Sequence, residues 1–98
     1  MEKGSDKEPE ITQMRAEIDE IDAALLQLIA RRKTVALEIA KFKQKSGDSV
    51  DDEARIRKVL EGVQERSKKL GLDEKEMKEL WKCLIAYMIR EQMKKHPY

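Results

Sequence analysis

The stretch ITQMRAEIDEIDAALLQLIARRKTVALEIAKFKQKS, residues 11–46, decides the fold. Its apolar residues Ile11, Met14, Ile18, Ile21, Leu25, Leu28, Val35, Ile39 and Phe42 advance in steps of mostly three and four, the period of a helix with one oily face. No proline stands between Pro9 and Pro97 to interrupt it. With Thr12 as N-cap and Gly47 as a left-handed stop, the expected helix has roughly 35 residues and spans about 50 Å. A compact chain of 98 residues has a radius of gyration of only about 12.5 Å. Such a rod overhangs its own domain, and its stripe needs more cover than the remaining residues supply. The economical source is the same helix of a second copy, so an obligate homodimer is expected.

Working outward, Ser49-Val50-Asp51-Asp52 reads as a loop ending in an N-cap, and Ile56, Val59, Leu60, Val63 and Leu70 mark a shorter helix that stops at Gly71. Gly62 weakens that helix slightly. Asp73 with Glu76 three residues on forms an Asp variant of the capping box, and Leu72 with Met77 a hydrophobic staple. The third helix then carries Met77, Leu80, Trp81, Leu84, Ile85, Met88 and Ile89 to about Lys95. Residues 1–9, charged and holding Gly4 and Ser5, are expected to be a disordered tail, and residues 10–96 one helical domain. The fold class is all-α: one long and two shorter helices per chain, intertwined with a second chain into a bundle.

Composition excludes much else. With 40% hydrophobic, 42% charged and only 4% aromatic side chains, a β-sandwich or barrel is disfavoured. Lys and Arg number 21 against 20 Asp and Glu, a net charge of +1, which gives no general attraction to nucleic acid or to an acidic membrane. One cysteine, Cys83, and a polar N-terminus without an apolar segment point to the cytoplasm. Cys83 itself reads as a small core or boundary residue. One His and one Cys leave no metal cluster, catalytic triad or Cys-His pair, and no Gly-rich phosphate loop is present.

Polar residues stand where the pattern wants apolar ones. Arg32 interrupts the series Leu25, Leu28, Val35, Ile39, and a guanidinium on such a face needs a partner. Arg15 and Lys43 bound a neighbouring column, Arg15, Asp22, Ile29, Ala36, Lys43, at intervals of seven. Gln92 ends the oily stripe of the third helix, and Arg55 sits in the first turn of the second, against the helix dipole. Singly, each has a bland reading: Arg32 can snorkel or pair across helices, and Arg15 and Lys43 can be solvated flanks. Four cations and an amide together on or beside core-facing stripes suggest a small ligand carrying carboxylates. Arg32 and Lys43, eleven residues apart, lie about 16 Å from each other along the axis and can converge on it. Arg15 is about 25 Å from Arg32. An antiparallel copy crossing near Leu25 and Leu26 brings the second chain's Arg15 level with the interval between them, giving two equivalent shared sites.

From Met14 to Met93 the chain resembles the all-α class of chorismate mutases. The resemblance rests on Met14-Arg15, Ile18-Asp19, Ile21-Asp22, Leu25-Leu26, Leu28-Ile29-Ala30, Arg32, Val35-Ala36, Ile39-Ala40 and Lys43, then Asp52 with Arg55, then Gln92. It implies an intertwined dimer and rearrangement of chorismate to prephenate, on the route to phenylalanine and tyrosine, with no cofactor. By position, Lys43 and Gln92 address the ether oxygen, Arg32 and the second chain's Arg15 hold the carboxylates, Arg55 adds positive field, and Asp52 orients the ring hydroxyl. Two positions depart from the family pattern: Ile56, where Glu is common, and Met88, where a small hydroxyl residue is common. Ile56 also resembles isochorismate-pyruvate lyases, which makes lyase activity the alternative within the fold. A non-catalytic helical dimerisation module is the alternative outside it.

Overall fold

The computed structural model describes residues 3–48 and 52–96, with side chains from Glu8 onward. Three helices follow in order: α1, Lys3–Ser46; α2, Glu53–Lys69; and α3, Glu74–Lys95. The number and order match the expectation, and so do the local signals at the helix ends. The Asp52 carboxylate accepts from the Arg55 N–H at 3.1 Å and opens α2. That of Asp73 accepts from the N–H groups of Lys75 and Glu76, both at 3.0 Å, and opens α3. Each satisfies donors that the first helical turn leaves orphaned.

Two glycines close helices in the same way. At Gly47, φ is +82°, and at Gly71 it is +74°, a region that side chains with a Cβ rarely enter. The reversal lets the Asp48 N–H reach the Lys43 carbonyl at 2.9 Å, and the Leu72 N–H reach the Ser67 carbonyl, also at 2.9 Å. Both are Schellman closures.

The start of α1 corrects the sequence reading. The helix begins at Lys3, ahead of Thr12, so the segment expected to be disordered is helical from Lys3 on and takes in Pro9. Proline forfeits one bond to the carbonyl four residues back and crowds that carbonyl with its ring, a local cost, while flanking Glu8 and Glu10 are good helix formers. The loop residues Ser49, Val50 and Asp51 lie outside the described residues.

The chain divides into two compact units, residues 1–32 and 33–98. The first is the leading part of α1, and its apolar stripe is open: Ile11, Met14, Ile18, Ile21, Leu25, Leu26 and Leu28 are all between 43% and 67% exposed. Completing the burial of seven half-exposed aliphatic chains is worth on the order of 5–10 kcal/mol at about 1.5–3 kcal/mol per full side chain.

The second unit holds the core, where α2 and α3 pack closely. Ala40, Leu60, Val63, Ile85 and Met88 are buried there, together with the polar Ser67 and Gln92. Six expected apolar positions of this unit are not covered: Val35, Ile39 and Phe42 on α1 are 54%, 48% and 68% exposed, and Leu70, Leu72 and Leu80 are 73%, 48% and 55% exposed. Leu70 and Leu72 flank Gly71 at a turn, where the chain reverses away from the core. Cys83 is exposed as well, a correction to its reading as core or boundary, because it falls between Leu80 and Leu84, off the buried line of Ile85 and Met88.

Candidate active site

The second unit brings several of the sequence-derived positions onto one set of elements. Lys43 ends α1, Asp52 and Arg55 open α2 with Ile56 in its first turn, and Met88 and Gln92 sit one turn apart on α3. The Schellman closure at Gly47 fixes the last turn of α1 through the Lys43 carbonyl, which also accepts from the Ser46 hydroxyl at 3.1 Å. Lys43 is thereby held on an ordered turn.

Its ammonium lies 3.7 Å from Oδ2 of Asp52. Asp52 caps α2 through Oδ1, as expected, and turns Oδ2 toward Lys43, a contact the sequence reading did not include. The capping N–H of Arg55, with the Lys43 charge adding to it, holds the Asp52 carboxyl below its usual range. The pair is loose and its side chains are 28% and 47% exposed. Lys43 is therefore kept near the α1–α2 turn, without being locked there.

Gln92 is buried, as its place on the apolar stripe of α3 requires, and its Nε2 donates to the Ala36 carbonyl at 2.6 Å. Met88, one turn earlier, is 3% exposed, while Ile56 is half-buried. The Arg55 side chain is exposed. In the first unit, Arg15 is exposed and Arg32 half-buried on α1.

Sequence reasoning missed the residues beside these. Lys33 Nζ lies 2.9 Å from Oε1 of Glu91, and Lys94 Nζ 3.0 Å from Oε2 of the same carboxylate. With a donor on each oxygen, Glu91 is held down at about 2, the Lys33 hydrogen bond contributing most. Lys33 is raised in turn by the bond to Glu91, with its ammonium 5.9 Å from the centre of the Tyr87 ring. Lys33 answers to one carboxylate where Glu91 answers to two ammonium groups, which accounts for the larger effect on the acid. His96 Nδ1 is 3.2 Å from Oε1 of Gln44. Lys94 stands only three residues from Glu91, but the other partners are separated by 52 to 58 residues, and no local pattern in the sequence pairs them.

A surface hollow is lined by Glu61, Gln64, Glu65, Lys68 and Glu74. Three carboxylates against one ammonium repel a dianion, so the hollow does not compete with the cationic residues as a dicarboxylate site. Among the described residues no group of His, Cys, Asp and Glu could hold a metal ion. No helix of the structure is long and apolar enough to cross a membrane.

Residues 14–93 match the family model for chorismate mutase type II. The chorismate mutase of Methanocaldococcus jannaschii is 29% identical over 77 residues, covering 79% of this chain and 78% of that one. The 4-amino-4-deoxychorismate mutase of Streptomyces venezuelae is 30% identical over 81 residues, 83% of this chain and 79% of that one. The intracellular chorismate mutase of Mycobacterium tuberculosis is 39% identical over 69 residues, 70% of this chain and 62% of that one. No solved structure matches the chain.

Proposed function

The chain belongs to the chorismate mutase type II family, and we propose that it rearranges chorismate to prephenate at two equivalent sites, each built by two copies of the chain. The observation that carries this reading is the extent of the family match. Residues 14–93 take in Arg15, Arg32, Lys43, Asp52, Arg55, Ile56, Met88 and Gln92 together. The open stripe from Ile11 to Leu28 supports the second copy, because a lone chain leaves it in water.

In this Claisen rearrangement a C–O bond breaks as a C–C bond forms within one molecule, and negative charge builds on the ether oxygen. No nucleophile and no cofactor are called for. Donors fixed in place at that oxygen stabilise the transition state more than the ground state. Lys43 and Gln92 are the donors in this reading. Arg32 and the partner subunit's Arg15 bind the two carboxylates and fold the enolpyruvyl arm over the ring, which removes an entropic part of the barrier. With the two-fold axis near Leu25 and Leu26, the partner's Arg15 falls level with Ala36, the residue Gln92 bonds to. Arg55 adds positive field, and Asp52 orients the ring hydroxyl while restraining Lys43. A 10⁶-fold acceleration asks for about 8 kcal/mol, within reach of a few such donors in a dry site.

The cytoplasm is the proposed compartment, supported by the lone cysteine and by relatives named as intracellular. The apolar side chains at Ile56 and Met88 favour one second reading, isochorismate-pyruvate lyase on the same frame. The test gives the purified protein chorismate, isochorismate and 4-amino-4-deoxychorismate side by side. Prephenate from chorismate is the expected product. Pyruvate release from isochorismate as the dominant reaction overturns the mutase reading in favour of the lyase, and no turnover with any of the three favours a non-catalytic dimer.

A further inference from the structure

Among the described residues α2 and α3 pack closely, yet no α-carbon of residues 33–46 comes within 8 Å of one in α3. Long side chains bridge that gap: Lys33 to Glu91, Gln92 to the Ala36 carbonyl, and Gln44 to His96. A carboxamide at the end of such a bridge has two orientations that differ by exchange of NH₂ and C=O, and they have opposite consequences for an oxygen gaining negative charge. The Ala36 carbonyl can only accept, so it selects the orientation in which Gln92 presents NH₂. One N–H is spent on Ala36 and the second points elsewhere in the plane of the amide. This selection works only while the last turns of α3 stay at the right height and rotation against α1.

We propose that the Lys33–Glu91 ion pair is a positioning device for Gln92, setting α3 against α1 so that the carboxamide stays on the Ala36 carbonyl with its second N–H free for substrate. The inference rests on the reading of Gln92 as a donor to chorismate given above. Glu91 directly precedes Gln92, and Lys33 lies three residues before Ala36, so the ion pair and the amide bond join neighbouring points of the same two helices. Glu91 is only 16% exposed at its side chain and accepts from ammonium groups at both oxygens, unlike a lone surface bridge. The low position of its acid keeps the pair ionised throughout the physiological range. Lys33 and Glu91 touch no reacting atom in this arrangement and act through Gln92.

The experiment uses the full chain with Glu91→Gln, Lys33→Met and Lys33→Arg, and two readouts. The first is the side-chain amide NMR signal of Gln92, identified by its loss in Gln92→Ala. In the parent protein and in Lys33→Arg, one amide proton is expected to be shifted and slow to exchange. In Glu91→Gln and Lys33→Met both protons move toward free-carboxamide values and exchange faster. The second readout is turnover of chorismate: kcat falls about tenfold in the same two variants with KM little changed, because a misaimed donor is missed mainly in the transition state, while Lys33→Arg stays near the parent. An unchanged Gln92 signal in Glu91→Gln and Lys33→Met overturns the proposal, even when their melting temperature falls. Equal loss of kcat in Lys33→Arg does the same. A parent protein that leaves chorismate untouched overturns the mutase reading, and the Gln92 signal still decides the positioning role.

Discussion

Residues 11–32 and the α3 segment 77–92 carry apolar stripes of the same helical period, and the two meet different fates. In α3 the stripe packs on α2, leaving Ile85 9% and Met88 3% exposed. In the leading part of α1, Ile18, Ile21 and Leu25 are 55%, 56% and 52% exposed. Periodicity states that a face wants cover, but it does not say whose. Where a short turn such as that around Gly71 folds the next helix back, the chain covers itself. Residues 11–32 have no such neighbour within their unit, and in the proposed reading a second copy supplies the cover.

The strongest way to break this comparison is Leu25→Asp. Near the proposed two-fold axis the change would place a carboxylate in the stripe of both chains, at a cost on the order of several kcal/mol per copy when an ion is buried without a partner. Sedimentation equilibrium should show a monomer, with activity lost. A stripe that faces water in the working molecule would instead tolerate the change within about 0.5 kcal/mol.

Lys43→Ala comes next. It leaves both stripes intact and removes one donor, so kcat/KM for chorismate should drop by about 3 to 4 kcal/mol of transition-state stabilisation while the dimer persists. Near-normal turnover would separate the ordered turn at Gly47 from the chemistry assigned to it.

Acid sharpens the comparison from the other side, because the second unit holds two carboxyls lowered from their usual range. Glu91 ordinarily titrates near 4.5 and is held at about 2 in the fold. Its contribution is therefore fully present above about 4.5 and is lost as pH falls toward 2. Asp52, lowered in the same direction, adds to that limb. Thermal melts of Glu91→Gln should be less stable than the parent at neutral pH, with the gap closing over this window. A gap that stays constant from pH 7 to 2 would rule out the ionised pair as its cause.

The smallest expected effect is Gly62→Ala. An added Cβ meets only the mobile end of Arg66, at 3.2 Å from a guanidinium nitrogen, which can swing aside. Relief of the glycine penalty in α2 should stabilise the protein by about 0.5 to 1 kcal/mol in a urea titration, with activity unchanged.

Legibility in the sequence followed the distance over which each signal acts. Asp52, Asp73, Gly47 and Gly71 are short-range devices, readable from three or four neighbouring residues; the two aspartates open helices and the two glycines close them, as expected. Gln92 and Met88 were legible as members of one stripe, and both are buried. The beginning of α1 was not, since a plausible cap at Thr12 competes with helix-forming residues before it and a single proline does not end the helix. Lys33 with Glu91 lay beyond reach altogether. They belong to charge-rich helix faces and meet across 58 residues, where long side chains span the gap between α1 and α3. Asp52 also turns toward Lys43 across the α1–α2 turn, a contact its place in the capping motif did not announce.

A site shared between two copies has a signature that a self-contained one lacks, and mixing two crippled variants reads it directly. Arg15→Ala and Lys43→Ala are each expected to be nearly inactive as homodimers. After subunit exchange half the dimers hold one variant of each kind, and every such dimer regains a single intact site, so the mixture should recover about a quarter of the parent activity. No recovery, with exchange verified by mass, would contradict a pocket made of Arg15 from one chain and Lys43 from the other.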